Sequence, residues 1–246
     1  MIERKGTRNS PNLGSSFGLP FAPNQPKLET NMNCIVTAGP TYEPLDDVRR
    51  LTNFSTGRLG TELANFLVAR GHQVRLLVSA QATHGGERRA QQVEEFTTTA
   101  NLRERLQSLS AKKVNAVFHA AAVSDFHFGR IQLQSPHGRL TEIKSKKIPT
   151  DKGTLLVELV PTQKIIINLR AWFPSARLVG WKFEAEGKRP AAVHAAEQQL
   201  DQCLTDVCVV NGPAYGEGFG LITSGGHVHL ADPPKLFDAL EKLLQV

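Results

Sequence analysis

Short apolar runs with little internal alternation, separated by stretches of helical period, constrain this chain more than any other feature. The runs are NCIVTA (33–38), QVRLLVS (73–79), a weaker VEEF (93–96), VNAVFHAA (114–121), RLVGWKF (177–183) and DVCVVN (206–211). Strands apolar on both sides are covered on both sides, which is the signature of a parallel sheet between helical layers. Between them, residues 57–70 place Leu59, Leu63, Phe66 and Leu67 at helical spacing before Gly71, a stop residue. Further helices are predicted at about 99–110, 162–172, 188–202 and 233–245, and a short hairpin at about 220–230. Residues 126–160 break this rhythm: a loop, then RLTEIK (139–144) and TLLVELV (154–160), alternate as an antiparallel insertion would. The reading is an α/β fold over residues 32–246. It has a Rossmann-like, mostly parallel sheet, helices on both faces and a small antiparallel strand flap at about 126–160.

Residues 1–31 differ. They are rich in Pro, Gly, Ser and Asn and keep no period, so they read as a disordered or draped extension. The remainder of the 246 residues is long enough to bury a sizeable core. No stretch reaches the ~20 apolar residues of a transmembrane helix. Three cysteines, Cys34, Cys203 and Cys208, make neither a disulfide framework nor a metal-binding pair, so packing roles in a reducing cytoplasm are expected. His227 and His229 alternate on the predicted hairpin without a third ligand, and no metal site is assigned. The net charge of +6 suits anionic partners. With no zinc finger, arginine-glycine repeat or aromatic RNA-binding motif, small anions are a better account of it than nucleic acid.

Chemistry concentrates in TAGPTYEPLDDVRRLTNFSTGRLG, residues 37–60. A strand ends at Ala38, a Gly-Pro turn follows, and a helix begins near Gly57 after Asn53, Ser55 and Thr56. A helix N-terminus offers free N–H groups and a partial positive charge to an anion, and glycine allows close backbone approach. A dinucleotide-dependent oxidoreductase is the alternative on such a fold. It wants a glycine fingerprint directly after the first strand and an acidic residue ending the second. The second strand runs LLVSAQA (76–82) instead. Tyr42 and Tyr215 are followed four residues later by Asp46 and Phe219, not by the lysine of a short-chain dehydrogenase.

The string T-A-G-P-T-x-E-P-x-D-x-V-R-x-x-T-N-x-S-T-G-x-x-G closely resembles the opening of the phosphopantothenoylcysteine synthetase family. The resemblance continues in order through HAAAVSDF (119–126), EIKSKK (142–147), VGWKFE (179–184) and DVCVVN (206–211). It implies a ligase of coenzyme A biosynthesis, in this chain a stand-alone synthetase without the flavin-dependent decarboxylase. Such an enzyme joins 4′-phosphopantothenate to L-cysteine. A nucleoside triphosphate, CTP or ATP, activates the carboxylate as an acyl-nucleotidyl anhydride, with Mg²⁺ carried on the triphosphate and no flavin. The amine then displaces the nucleoside monophosphate.

Residue by residue, the resemblance implies catalytic roles for Asn53, stabilising the oxyanion, and for Lys144, neutralising charge on the α-phosphate. Arg49, Ser55, Thr56 and Gly57 would bind phosphopantothenate, an ion pair of Arg49 with Asp46 or Asp47 being the competing reading. Gly39, Ala121, Ala122, Asp125, Lys144, Trp181 and Lys182 would bind the nucleotide. A homodimer is also implied, with small molecules and neither nucleic acid nor membrane as its other partners. Two departures stand out: TQKII (162–166) replaces the bacterial Pro-Asp-Ile/Leu turn, and Gln199 and Cys203 stand where the family has triphosphate-binding lysines. Lys164 or Lys182 are the substitutes expected. With the lysines replaced, a degenerate nucleotide-binding protein is a further alternative.

Overall fold

The computed structural model describes residues 31–151 and 153–244. The reading of residues 1–31 therefore lies, except for Asn31, outside the described residues. In chain order the elements are β1 (Asn33–Ala38), β2 (Tyr42–Pro44), β3 (Arg50–Thr52), α1 (Arg58–Ala69), β4 (Gln73–Ser79), β5 (Gln92–Phe96), α2 (Thr99–Ser108) and β6 (Ala116–His119). Next come β7 (Phe126–Gln134), β8 (Leu140–Glu142), β9 (Thr154–Pro161), and a 3-10 turn (Ile165–Asn168) running into α3 (Leu169–Trp172). The chain continues with β10 (Arg177–Phe183), α4 (Arg189–Cys203), β11 (Val207–Asn211), β12 (Phe219–Thr223), β13 (Gly226–Leu230) and α5 (Pro233–Lys242).

The main sheet has the order β13-β12-β11-β10-β6-β1-β4-β5. From β5 to β11 every pairing is parallel, while β12 and β13 add an antiparallel edge. Counting the parallel strands alone, their order is that of a doubly wound sheet, which reverses direction between β1 and β6. Alternation along each strand divides the core. Cys34, Val36 and Ala38 of β1, Ala116 and Phe118 of β6, and Val207 and Val209 of β11 pack with Leu63 and Leu67 of α1 and Leu236 and Leu240 of α5. On the opposite face, Ile35, Leu77 and Val117 pack with Leu102 and Leu106 of α2 and Leu169 of α3. There too Cys208 and Val210 pack with Ala192 and Ala196 of α4.

Local chemistry sets the helix ends. Thr98 caps α2 by accepting from Asn101 N at 3.2 Å, and Asp232 caps α5 by accepting from Lys235 N at 2.9 Å. Gly71, at φ 89°, lets His72 N–H close onto Leu67 O at 3.1 Å behind α1. Helix α4 ends less comfortably on Leu204, held left-handed at φ 51°.

The structure departs from the sequence reading in three places. Residues 126–134, read as loop, form the nine-residue strand β7, which pairs with β8 and β9 in a separate three-stranded sheet. Its burial is partial along its length and Gly129 interrupts it, so the alternation that marks a strand is weak. A small hairpin, β2 with β3, fills the stretch between β1 and α1. The helix expected over 162–172 begins as a 3-10 turn, where the β-branched run Ile165–Ile167 lowers α-helical preference. Among the described residues no helix is long and apolar enough to cross a membrane.

Candidate functional site

The carboxyl ends of β1 and β6 flank the point where the sheet reverses, the crevice where such folds take ligands. Here the backbone closes on itself. Ala122 N donates to Gly39 O and Thr41 N to Ala122 O, both at 3.0 Å, and Pro40 bridges Ala122 in parallel. Ala121 N donates to Thr37 Oγ1 at 3.1 Å. The amides of the small-residue turn are thus spent on holding its shape, and Ala121 and Ala122 offer a smooth surface instead of donors.

Close approach of glycines builds the adjoining wall. A Cβ on Gly60 would lie 2.7 Å from Ala38 Cβ, and one on Gly57 would lie 3.3 Å from Gly39 Cα. Gly39 and Gly57 also hold φ of 88° and 79°, where side chains are strained. The start of α1 therefore rests on the end of β1. Gly57 is its N-cap without a side-chain cap, the first turn holds no acidic residue, and Thr56 Oγ1 accepts from Arg58 N at 3.3 Å. Ser55 lies half-buried beside them. Helix start and crevice share one edge, as an anion site requires.

Asn53 lies over the crevice. Its Nδ2 donates to Ala122 O at 3.1 Å and to Val123 O at 3.3 Å. Two carbonyls facing one end of the amide fix which end is nitrogen, so Oδ1 points away from them. The side chain presents an acceptor, while both N–H groups are engaged by those carbonyls. An acceptor there suits an amine or amide N–H.

Threonines join these loops, Thr37, Thr41 and Thr99 buried and Thr52 exposed, and sequence reasoning missed them. Thr41 Oγ1 accepts from Ser124 N at 2.8 Å and pairs with Thr99 Oγ1 at 3.1 Å; Thr52 Oγ1 donates to Thr41 O at 2.9 Å. Thr37 Oγ1 also meets His119 Nδ1 at 3.0 Å. Thr37 Oγ1 thus joins the Ala121 amide and the His119 ring in one buried cluster. Burial pushes the His119 pKa down to about 4, so the ring is neutral at physiological pH. The paired runs of small and hydroxyl residues at 37–41, 97–99 and 120–124 were the available signal.

The remaining expected residues are dispersed. Arg49 is committed to Asp46 through Nε at 3.1 Å and Nη2 at 2.5 Å, so the ion-pair reading of the sequence describes it. Asp125 is exposed, and its backbone O accepts from Thr162 N at 2.9 Å. Trp181 packs against the α1 side of the sheet with its buried Nε1 unpaired, one strand away from β6. Lys182 pairs with Glu184 at 3.2 Å, and Lys144 on the flap, 90% exposed, pairs with Glu142 at 3.5 Å. The structure thus gathers Gly39, Asn53, Ser55, Thr56, Gly57, Ala121 and Ala122 at the crevice, while Lys144 and Lys182 keep their charges on neighbouring carboxylates.

Other features point away from chemistry. Burial pushes the Cys34 and Cys208 thiols up to about 12, which removes them as nucleophiles. His229 Nδ1 lies 3.0 Å from the Tyr215 hydroxyl. Among the described residues no three His, Cys, Asp or Glu side chains gather as metal ligands. Two surface depressions of about 390 and 420 Å³ lie at the opposite, amino ends of the strands, lined by residues such as Asn33, Gln73 and Asn115.

Comparison with known proteins shows the family and the fold. Residues 30–242 match the family model described as DNA/pantothenate metabolism flavoprotein C-terminal domain. The chain is 30% identical over 230 residues to the coenzyme A biosynthesis bifunctional protein CoaBC of Thermococcus kodakarensis, covering 89% of this chain and 53% of that protein. It is 27% identical to the CoaBC of Bacillus subtilis, covering 77% and 43%. The chain thus spans about half the length of these curated relatives. In fold it resembles the DNA/pantothenate metabolism flavoprotein of Streptococcus pneumoniae, with a TM-score of 0.76, 22% identity, and coverage of 87% and 98%. It also resembles a Cab2 mutant in complex with phosphopantothenate-cysteine, with a TM-score of 0.65, 21% identity and 87% of each chain covered. With the motif, the doubly wound sheet and the family match in agreement over nearly all described residues, the chain belongs to the DNA/pantothenate metabolism flavoprotein C-terminal domain family.

Proposed function

We propose that this chain is a phosphopantothenate–cysteine ligase of coenzyme A biosynthesis. The substrate carboxylate attacks the α-phosphorus of a nucleoside triphosphate, and pyrophosphate leaves. The cysteine amine then attacks the acyl carbon, loses a proton, and the nucleoside monophosphate departs. One observation carries the reading: the amide of Asn53, fixed over the β1–β6 crevice with its acceptor outward, beside an uncapped helix start built on Gly57. That helix start, with Ser55 and Thr56, would receive the phosphate of phosphopantothenate. Asn53 Oδ1 would take a hydrogen bond from the incoming amine and aim its lone pair at the acyl carbon. The nucleotide would lie along Gly39, Ala121, Ala122 and Asp125, with Trp181 and Lys182 beyond. Lys144, and Arg49 through its remaining N–H groups, would meet the anionic groups once substrate competes with their present carboxylate partners.

Magnesium enters bound to the triphosphate, as part of the substrate, and no flavin takes part in the reaction. Lys182, and Lys164 ahead of the 3-10 turn, both act electrostatically on the Cys203 thiol of α4 and would serve in place of the lysines that Gln199 and Cys203 replace. We infer a cytoplasmic homodimer: the three flap strands expose Phe126, Leu140, Leu156 and Leu159, more apolar surface than a free three-stranded sheet carries comfortably.

The test is pyrophosphate release from CTP and from ATP, each with phosphopantothenate and with or without cysteine. Release that requires phosphopantothenate is expected, and the faster nucleotide identifies the natural one. No release with either nucleotide would overturn the ligase and favour a degenerate nucleotide-binding protein. Cofactor-dependent hydride transfer would favour an oxidoreductase.

A further inference from the structure

Among the described residues from 126 to 161, only Ile148 is buried, at 2% exposure. Its backbone is held by the β2–β3 hairpin. Asp46, between those strands, has a side chain with no exposed surface. Its Oδ1 accepts from Val48 N at 2.9 Å and Arg49 N at 2.7 Å, which closes the hairpin turn by itself. Oδ2 is surplus to that turn. It accepts from Arg49 Nε at 3.1 Å and Nη2 at 2.5 Å and, across to the flap, from Ile148 N at 3.1 Å. Arg49 Nη2 donates in turn to Ile148 O at 2.8 Å, and Asp47 N donates to Lys146 O at 2.9 Å.

One carboxylate–guanidinium pair thus satisfies both backbone polar atoms of Ile148. The described hydrogen bonds joining residues 144–151 to the body of the domain all run to Asp46, Asp47 and Arg49. That segment carries Lys144, Lys146 and Lys147. The Arg49 guanidinium and the surrounding N–H groups hold the Asp46 carboxyl well below the usual range, so it stays ionised.

We propose that Asp46 is a positioning residue which, through Oδ2 and Arg49, clamps the lysine-bearing end of the flap against the hairpin that leads to Asn53. The flap's cations are then held near the crevice before substrate arrives. The clamp rests on the geometry alone; its consequence for turnover rests on the ligase reading above.

Asp46→Asn separates the two oxygens. The amide oxygen can keep the turn, while an NH₂ group replaces Oδ2 and faces three N–H donors. Native-state trypsin digestion of the full chain reads the result, because cleavage after Lys144, Lys146 and Lys147 requires the segment to open. Losing charge-assisted bonds should speed those cuts about tenfold or more, with the melting temperature lowered by no more than about 3 °C. Asp47→Asn, whose side chain is outside the clamp, should cut at the wild-type rate. In the ligase assay, Asp46→Asn should lower kcat about tenfold and leave the KM for cysteine unchanged.

Unchanged cleavage of a folded Asp46→Asn protein overturns the clamp. So does acceleration spread evenly over the chain with a large fall in melting temperature, which would make Asp46 a fold residue only. If even the wild type releases no pyrophosphate, the ligase reading fails while the digestion still decides the clamp.

Discussion

The β1–β6 crevice and the flap solve opposite problems. At the crevice, amides at 41, 121, 122 and 124 and the hydroxyls of Thr37, Thr41 and Thr52 are spent on one another, and glycines let backbone touch backbone. Such a surface cannot shift by a fraction of an ångström without breaking bonds. The flap instead leaves charges and apolar side chains half in water, and its lysine-bearing segment hydrogen-bonds to the hairpin through Lys146 and Ile148. The contrast teaches where each kind of precision is needed. Placing a reacting carbonyl wants a rigid wall, whereas delivering positive charge to a polyanion wants reach.

The largest break in this comparison should come from the wall. Gly60→Val would drive side-chain atoms into Ala38 and Thr37 and prise α1 from β1. We expect a loss of about 3 kcal/mol in urea unfolding and a parallel loss of activity. Next is the buried ring. His119 titrates at about 4 when folded and near 6.5 when unfolded, so between those values the unfolded chain binds the extra proton. Stability is therefore fully present at neutral pH and falls as pH drops through about 6.5. The loss should be about 2 kcal/mol between about pH 7.5 and about pH 5, and absent in His119→Gln, as denaturation at both pH values will show. Leu204→Gly, at a site remote from both regions, relieves a left-handed backbone on a 63% exposed side chain. It should stabilise by about 1 kcal/mol in the same assay. The smallest effect belongs to the flap: Glu158→Gln removes an exposed partner of Arg130 and should move the melting temperature by no more than about 1 °C.

Much of the fold was legible because burial on two faces writes itself into composition. The strands at 33–38, 73–79 and 177–183 coincide with β1, β4 and β10, since non-alternating apolar runs have few other uses. Strand β7 was not legible, because a half-exposed sheet imposes no clean pattern on FHFGRIQLQ. In the site, Asn53 and Gly57 were visible because their motif is contiguous. The hydrogen bond from Ser124 N to Thr41 Oγ1 joins residues 83 apart, and no local pattern announces it. Nor could the sequence say which end of the Asn53 amide faces the chain. That depends on two carbonyls presented by a different loop.

The central claim is that Asn53 serves the second half-reaction, aiming an amine, and not the first. Asn53→Asp tests it directly, because a carboxylate facing Ala122 O and Val123 O loses both anchoring bonds while the nucleotide wall is untouched. The measurement is exchange of labelled pyrophosphate into the nucleoside triphosphate with phosphopantothenate and no cysteine, set beside product formation once cysteine is added. We expect exchange within about twofold of wild type and transfer to cysteine reduced about a hundredfold. Exchange and transfer falling together, or both surviving, would contradict the account.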